Sequence, residues 1–378
     1  MKSPYKKTIP GRVFLAGLLF LVIILTGCAG LKPASQHTST KIKGKKEILV
    51  ARDVTNRRPI WCGRKAALVY SVSDESASWE EIFWFDVETG GKIKVAEPGT
   101  PMACTADGEW LVYRDNGSYR REKGNPDNAV VDLWRYELKT KRRQKIAVAY
   151  ETEVSTIGEG VLSPTGLKLY LGRKPKEFIE MSEPEWEIVW SQNKMHDGVW
   201  LSDSSGMVRT YFNWKSKTEH LALELLSPRK KLIILEPPLT GPARSIQMIG
   251  PNRVYLRTNI RMKGFEAYGK DFIVSCEINR SKATLSCADV LELKHGIRGY
   301  DLLSDNETIV FTEYEDRCIR IKRKGESAAP CITAANFDLG NHLTVSPDDR
   351  WVAFTVFRKR EDGTSYTEDL YVVNLEKD

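Results

Sequence analysis

Seven times along the chain, an apolar strand runs into a turn of Ser, Pro, Asp or Gly and then into a second strand closed by an aromatic residue. A second hairpin pattern follows in several copies, and one strand near the start of the body has no partner in its own repeat. These three observations predict an all-β chain: a single β-propeller of four-stranded antiparallel blades, closed by an N-terminal strand. The copies include IWCGRKAALVY ending at Tyr70, ACTADGEWLVY at Tyr113, VLSPTGLKLY at Tyr170 and WLSDSSGMVRTY at Tyr211. IQMIGPNRVY ends at Tyr255, LLSDNETIVF at Phe311 and TVSPDDRWVAF at Phe354. The anchors lie 43, 57, 41, 44, 56 and 43 residues apart. Blade repeats run at about 40–45 residues, with insertions in loops. Counting anchors gives seven blades; six is the alternative, because the Tyr211 and Tyr255 copies are degenerate.

The second pattern supplies the outer half of each blade. EIFWFDVETGGKIKV, DLWRYELKTKRRQKI and DLYVVNLEKD align, so that Phe83, Trp134 and Tyr371 share one position and Val87, Leu138 and Leu375 another. Apolar residues alternate with period two, and ETGG is a hairpin signal. The last repeat ends after three strands, while residues 47–51 (EILVA) precede the first. That segment is predicted to be the fourth strand of the last blade, which removes two open sheet edges at once. The domain reading is a leader at 1–27, a flexible tether at 28–46 and a propeller at 47–378.

The formal charge of +7 suggests a polyanion partner until it is divided by region. Residues 1–27 hold +4 and residues 28–47 another +4, which leaves −1 for the body. The excess therefore belongs to the leader and tether, and no nucleic-acid role is expected.

Residues 1–12 are basic, and Val13 to Leu25 is apolar. That run is shorter than the roughly 20 residues a membrane-spanning helix needs, so it reads as a secretory signal. The next residues, Leu25-Thr26-Gly27-Cys28, resemble the bacterial lipobox. The resemblance implies that Cys28 is acylated, becomes the mature N-terminus and holds the protein to a membrane. Ala29 follows, and under enteric-type sorting this implies the outer membrane, facing the periplasm. The segment AGLKPASQHTSTKIKGKKE after it lacks apolar periodicity and reads as a tether.

Six cysteines remain. Cys276 and Cys287 flank one strand–turn–strand, and Cys318 and Cys331 flank another with Lys324-Gly325 at its centre. Facing positions on paired strands satisfy disulfide distances, so both pairs are disulfide candidates. Cys62 and Cys104 hold equivalent places in successive repeats and are either bonded or separate buried thiols.

The turn motifs Ser163-Pro164-Thr165-Gly166 and Ser346-Pro347-Asp348-Asp349, each followed by an apolar strand, resemble the propeller repeats of the TolB family, as do the DLYVVNLEKD-type strands. The resemblance covers residues 50–378 and implies a fold more than a function. That family carries an α/β domain ahead of a six-bladed propeller and is soluble in the periplasm. Here a tether leads straight into strands, so the family's role with the Tol–Pal system is not carried over.

No catalytic signature is present. The histidines His37, His196, His220, His295 and His342 lack metal-ligand spacing, and there is no G-x-S-x-G elbow or phosphate-cradling glycine loop. No cofactor or metal is expected, and the reading leans away from an enzyme. Three long segments fall in one slot of their repeats, between the second and third strands: 114–131, 257–271 and 358–368. They carry Tyr119, Arg120, Arg121, Phe265, Tyr268, Arg358 and Tyr366 amid mixed charges. Aromatic and arginine side chains on loops of a rigid scaffold suit a protein interface. The expected function is a lipid-anchored interaction module with an envelope protein as partner. The alternative is a glycan or small ligand in the central channel, with hydrolase or lyase chemistry.

Overall fold

The computed structural model describes residues 47–376, apart from 152–161, 172–186, 191–197, 260–270 and several shorter stretches. Cys28 and the tether lie outside the described residues. Strand β1 (Glu47–Val54) comes first. The first blade follows: β2 (Ile60–Cys62), β3 (Ala67–Ser73), β4 (Glu80–Asp86) and β5 (Lys92–Ala96). The second is β6 (Thr100–Cys104), β7 (Trp110–Glu122), β8 (Asn125–Glu137) and β9 (Arg143–Tyr150). In the third, β10 (Lys168–Leu171) and β11 (Glu187–Trp190) are described. The fourth is β12 (Gly198–Trp200), β13 (Gly206–Asn213), β14 (Thr218–Leu225) and β15 (Lys231–Ile234). The fifth is β16 (Ala243–Ile249), β17 (Arg253–Asn259), β18 (Asp271–Asn279) and β19 (Thr284–Leu293). The sixth is β20 (Ile297–Leu302), β21 (Ile309–Glu313) and β22 (Arg320–Lys322). Strands β23 (Leu339–Val345), β24 (Trp351–Lys359) and β25 (Tyr366–Asn374) make the seventh. The chain is therefore an all-β propeller, and its described strands fall into seven blades. Strands within a blade are lettered a to d from the centre outwards.

Closure follows the sequence expectation. β1 pairs antiparallel with β25, from Glu47↔Val373 to Val54↔Glu368, and becomes strand d of the last blade. Arg358 fastens this seam: its Nη2 donates to Asp53 Oδ1 at 2.6 Å and its Nε to Asp369 Oδ2 at 3.0 Å.

In the first, second and seventh blades an aromatic pair faces across strands b and c. Tyr70 faces Phe83 with ring centroids 5.9 Å apart, and Phe354 faces Tyr371 at 5.8 Å. A cation from strand d covers such rings: Lys92 Nζ lies 4.0 Å from the Phe83 centroid and the Arg143 guanidinium 4.4 Å from Trp134. Burial pushes the Tyr113 phenol up to about 12, so it stays neutral.

The a–b turns repeat one hydrogen-bonded design. Thr105, Ser163 and Ser346 each accept the backbone N–H five residues on, from Trp110, Lys168 and Trp351. Neighbouring turns touch: a Cβ on Gly63 would lie 2.8 Å from the Gly108 Cα, and both glycines have positive φ. Beside them Cys62 is bonded to Cys104, which joins the inner strands of the first two blades. Cys276–Cys287 and Cys318–Cys331 are also bonded, each within a blade.

Three features depart from the sequence expectations. Residues 114–131 are not a loop: β7 and β8 continue outward as a long hairpin whose register resumes at Arg120↔Val130 after a bulge. In the third blade β11 runs parallel to β10, from Lys168↔Glu187 to Leu171↔Trp190. In the fourth, the anchor slot holds a different residue. The turn bond is Leu201 N–H to Gly206 O, equivalent to Thr105 N–H to Trp110 O. Counting from it, Arg209 takes the place of Tyr113, and Tyr211 projects two residues further on. Arg209 is buried there with its Nε 2.9 Å from Glu224 Oε2, and the Tyr170 hydroxyl donates to the same oxygen at 2.8 Å.

Candidate partner-binding face

The b–c hairpins of an antiparallel blade all emerge at one end of the ring; the a–b and c–d turns emerge at the other. Tyr119 stands on the second blade's b–c hairpin, Phe212 and Trp214 on the fourth, Tyr314 on the sixth and Tyr366 on the seventh. These are all the exposed large aromatics among the described residues. Trp214 is 83% exposed and Tyr366 63%. The other exposed large apolar side chains, Ile93, Leu232 and Val290, are aliphatic and lie on outer strands. Single exposed apolar residues need no explanation, but five aromatics gathered at one end of the ring do.

The fourth hairpin is built to hold its rings. Phe212 and Trp214 meet edge to face at 4.8 Å. Asn213 Oδ1 accepts the N–H groups of Lys215 and Ser216, at 3.1 and 3.3 Å. Ser216 and Thr218 hydroxyls bond at 2.6 Å, Thr218 meets His220 Nε2 at 2.9 Å, and His220 Nδ1 meets Leu235 O at 3.3 Å. The chain of bonds runs from the tip into the buried base, so the indole sits on a fixed pedestal. Length was the sequence criterion for choosing hairpins, and this turn is short; a Trp amid Asn, Lys, Ser and Lys was the available signal.

The candidates named from sequence divide into three groups. Tyr119, Arg121 and Tyr366 are exposed on this face. Arg120 and Arg358 are tied inward: Arg120 Nη1 donates to Asp132 Oδ1 at 2.8 Å, and Arg358 belongs to the seam. Phe265 and Tyr268 lie outside the described residues.

Three acids of these hairpins are bonded to neighbours: Asp132 receives Lys145 Nζ at 2.5 Å, Glu122 receives the Tyr150 hydroxyl at 3.1 Å, and Asp316 pairs with Arg320. Among the described residues of the b–c hairpins, the exposed charged side chains are Arg121, Lys123, Lys215, Lys217, Arg317 and Lys359, all cationic.

The central channel holds a cavity of about 280 Å³ lined by Trp61, Met102, Leu162, Asp301 and Thr344 among others. Asp301 is its charged group. Its Oδ2 accepts from Arg58 (2.9 Å), Thr344 (3.0 Å) and the Val345 N–H (2.8 Å). Its Oδ1 accepts from Gln247 (3.0 Å) and the Leu302 N–H (2.9 Å). A carboxylate offers about four lone-pair sites, so Asp301 is saturated in tying the fifth, sixth and seventh blades together. Among the described residues no cluster of His, Cys, Asp or Glu is gathered as a metal site.

Comparison with known proteins agrees with the architecture. Hydrazine synthase from Kuenenia stuttgartiensis superposes with a TM-score of 0.52 at 13% identity, covering 91% of this chain and 100% of that one. At that identity the likeness shows the fold alone. TolB from Acinetobacter baumannii gives 0.40 at 11% identity over 84% of this chain and 66% of that one. The β-propeller domain of the trilobed protease from Pyrococcus furiosus gives 0.38 at 14% over 85% and 82%. No family model matches the sequence, and no curated protein matches it.

Proposed function

We propose that this chain is a lipid-anchored propeller of the bacterial cell envelope, probing for and holding another envelope protein with its b–c hairpin face. Acylated Cys28 supplies the membrane attachment, on the outer membrane facing the periplasm, and residues 28–46 the tether. The gathering of all exposed aromatics of the described residues at one end of the ring carries this reading. Aromatic side chains bring large contact area at low entropic cost and dominate protein interfaces. Three disulfides fit an oxidising compartment. The channel offers less to a ligand, because Asp301 already meets five protein donors.

The test is a crosslinking pull-down from intact envelopes with three forms: the lipidated protein, Cys28→Ala, and Trp214→Ala with Tyr366→Ala. One dominant protein, lost in the aromatic variant but not when Ile93 on the outer rim is changed, is the expected result. Undiminished capture by the aromatic variant would refute the assignment of this face. A Cys28→Ala form that still fractionates with membranes would refute the anchor.

A further inference from the structure

Resting on that reading, we infer that the partner presents an acidic protein surface, docked on the Phe212–Trp214 tip at the end of the ring opposite the start of β1. Two observations carry this beyond the exposed rings. The first is charge. Lys215 and Lys217 follow Trp214 on the same exposed turn, and Arg121, Lys123, Arg317 and Lys359 are exposed on the other hairpins, while Asp132, Glu122 and Asp316 are bonded to neighbouring side chains. The recognition surface is therefore an aromatic centre with a cationic margin, and its complement is apolar at the middle with carboxylates around it.

The second observation is direction. β1 starts at Glu47 beside Val373, near the c–d end of β25, and reaches the b–c end only at Val54, beside Glu368. The chain from the tether therefore enters at the end of the ring opposite the aromatic face. β25 has nine residues, and at about 3.3 Å per residue a strand of that length spans roughly 30 Å. The point of entry and the aromatic face therefore lie at opposite ends of the ring, about 30 Å apart.

The full-length lipidated chain carries a photo-crosslinking residue in place of Phe212, with Ile93 as the control position. The expected result is one protein joined from position 212 and not from 93, through a segment rich in Asp and Glu. Its yield falls at least about tenfold in Lys215→Glu/Lys217→Glu, since like charges facing across an interface are strongly unfavourable, and is kept in Lys215→Arg/Lys217→Arg. All four changed side chains are exposed, so an unaltered melting temperature confirms the fold in each variant. Undiminished capture by the double Glu variant overturns the acidic complement and leaves the partner-binding reading standing. If no protein is joined but the purified chain co-floats with phosphatidylglycerol vesicles and not with phosphatidylcholine ones, the face takes a membrane and both readings fall. Both also fall if neither occurs.

Discussion

Replacing Glu224 by Gln tests the placement of Arg209 in a slot that holds an aromatic ring in the second, sixth and seventh blades, as Tyr113, Phe311 and Phe354. The change is nearly isosteric and keeps an acceptor for the Tyr170 hydroxyl, 2.8 Å away. What it removes is the charge 2.9 Å from a guanidinium whose side chain is 5% exposed. A buried ion pair broken on one side costs about 3–5 kcal/mol, because the remaining charge stays uncompensated. Unfolding entropy is about 2.1 cal/mol/K per residue, which for a body of this size is roughly 0.7 kcal/mol/K, so the melting temperature should fall by about 4–7 °C. Adding Arg209→Met removes the stranded charge and should recover most of the loss, leaving about 1–2 kcal/mol for the unpaired amide. Calorimetry on the oxidised protein is the assay. A Glu224→Gln protein melting within about 1 °C of wild type would show that the guanidinium does not depend on the carboxylate. A double variant no better than the single would show that the loss is packing, not charge.

Gly63→Ala places a methyl group against Gly108 and a side chain at φ +70; the left-handed conformation alone costs about 1–2 kcal/mol, and urea unfolding should show at least that loss. The Cys62–Cys104 bond closes a loop with a sequence separation of 42; on the chain-entropy account Cys62→Ser/Cys104→Ser loses about 4 kcal/mol, and a change under about 1 kcal/mol in the same assay would contradict it. Glu368 is buried with its carboxylate poorly bonded, so desolvation pushes its pKa up, offset in part by Thr355, the Asn341 amide and Arg298. A raised carboxylate pKa means the folded state holds its proton longer. Stability therefore falls as pH rises from the unfolded to the folded value, and Glu368→Gln should be more stable than wild type at neutral pH and equal to it in acid. Denaturation midpoints across pH, unchanged in their difference, would refute this.

The ring was legible in the sequence because each blade is specified locally. Turn residues, alternation and the Tyr70–Phe83 type of pair all lie within a few dozen residues of one another, so a repeat announces itself without tertiary information. Where the local pattern gave way, so did the reading. The fourth copy has Arg209 in the aromatic slot, and Tyr211 two residues later mimicked the anchor. Its partner Glu224 and the capping hydroxyl of Tyr170 come from strands 15 and 39 residues away. The candidate face was half legible. Tyr119 and Tyr366 stood out because their segments are long, whereas Trp214 sits on a turn of ordinary length. Which acids pair with neighbours was hidden, because it depends on the fold: Asp132 bonds Lys145 and Asp369 bonds Arg358.

The seam sets an order of events. Ala51 pairs with Leu370, more than three hundred residues later, so the first strand made is the last to find its place. At about 5–20 residues per second, synthesis alone keeps β1 waiting for roughly a quarter of a minute to a minute. A waiting strand is an open edge on which other chains can build. β1 carries its own protection: register shifts on either side of Ala51, a left-handed backbone at Asp53, and the charged pair Arg52-Asp53. Charged residues and bulges of this kind are how edge strands resist pairing with other chains, and Arg358 holds Asp53 in the closed ring.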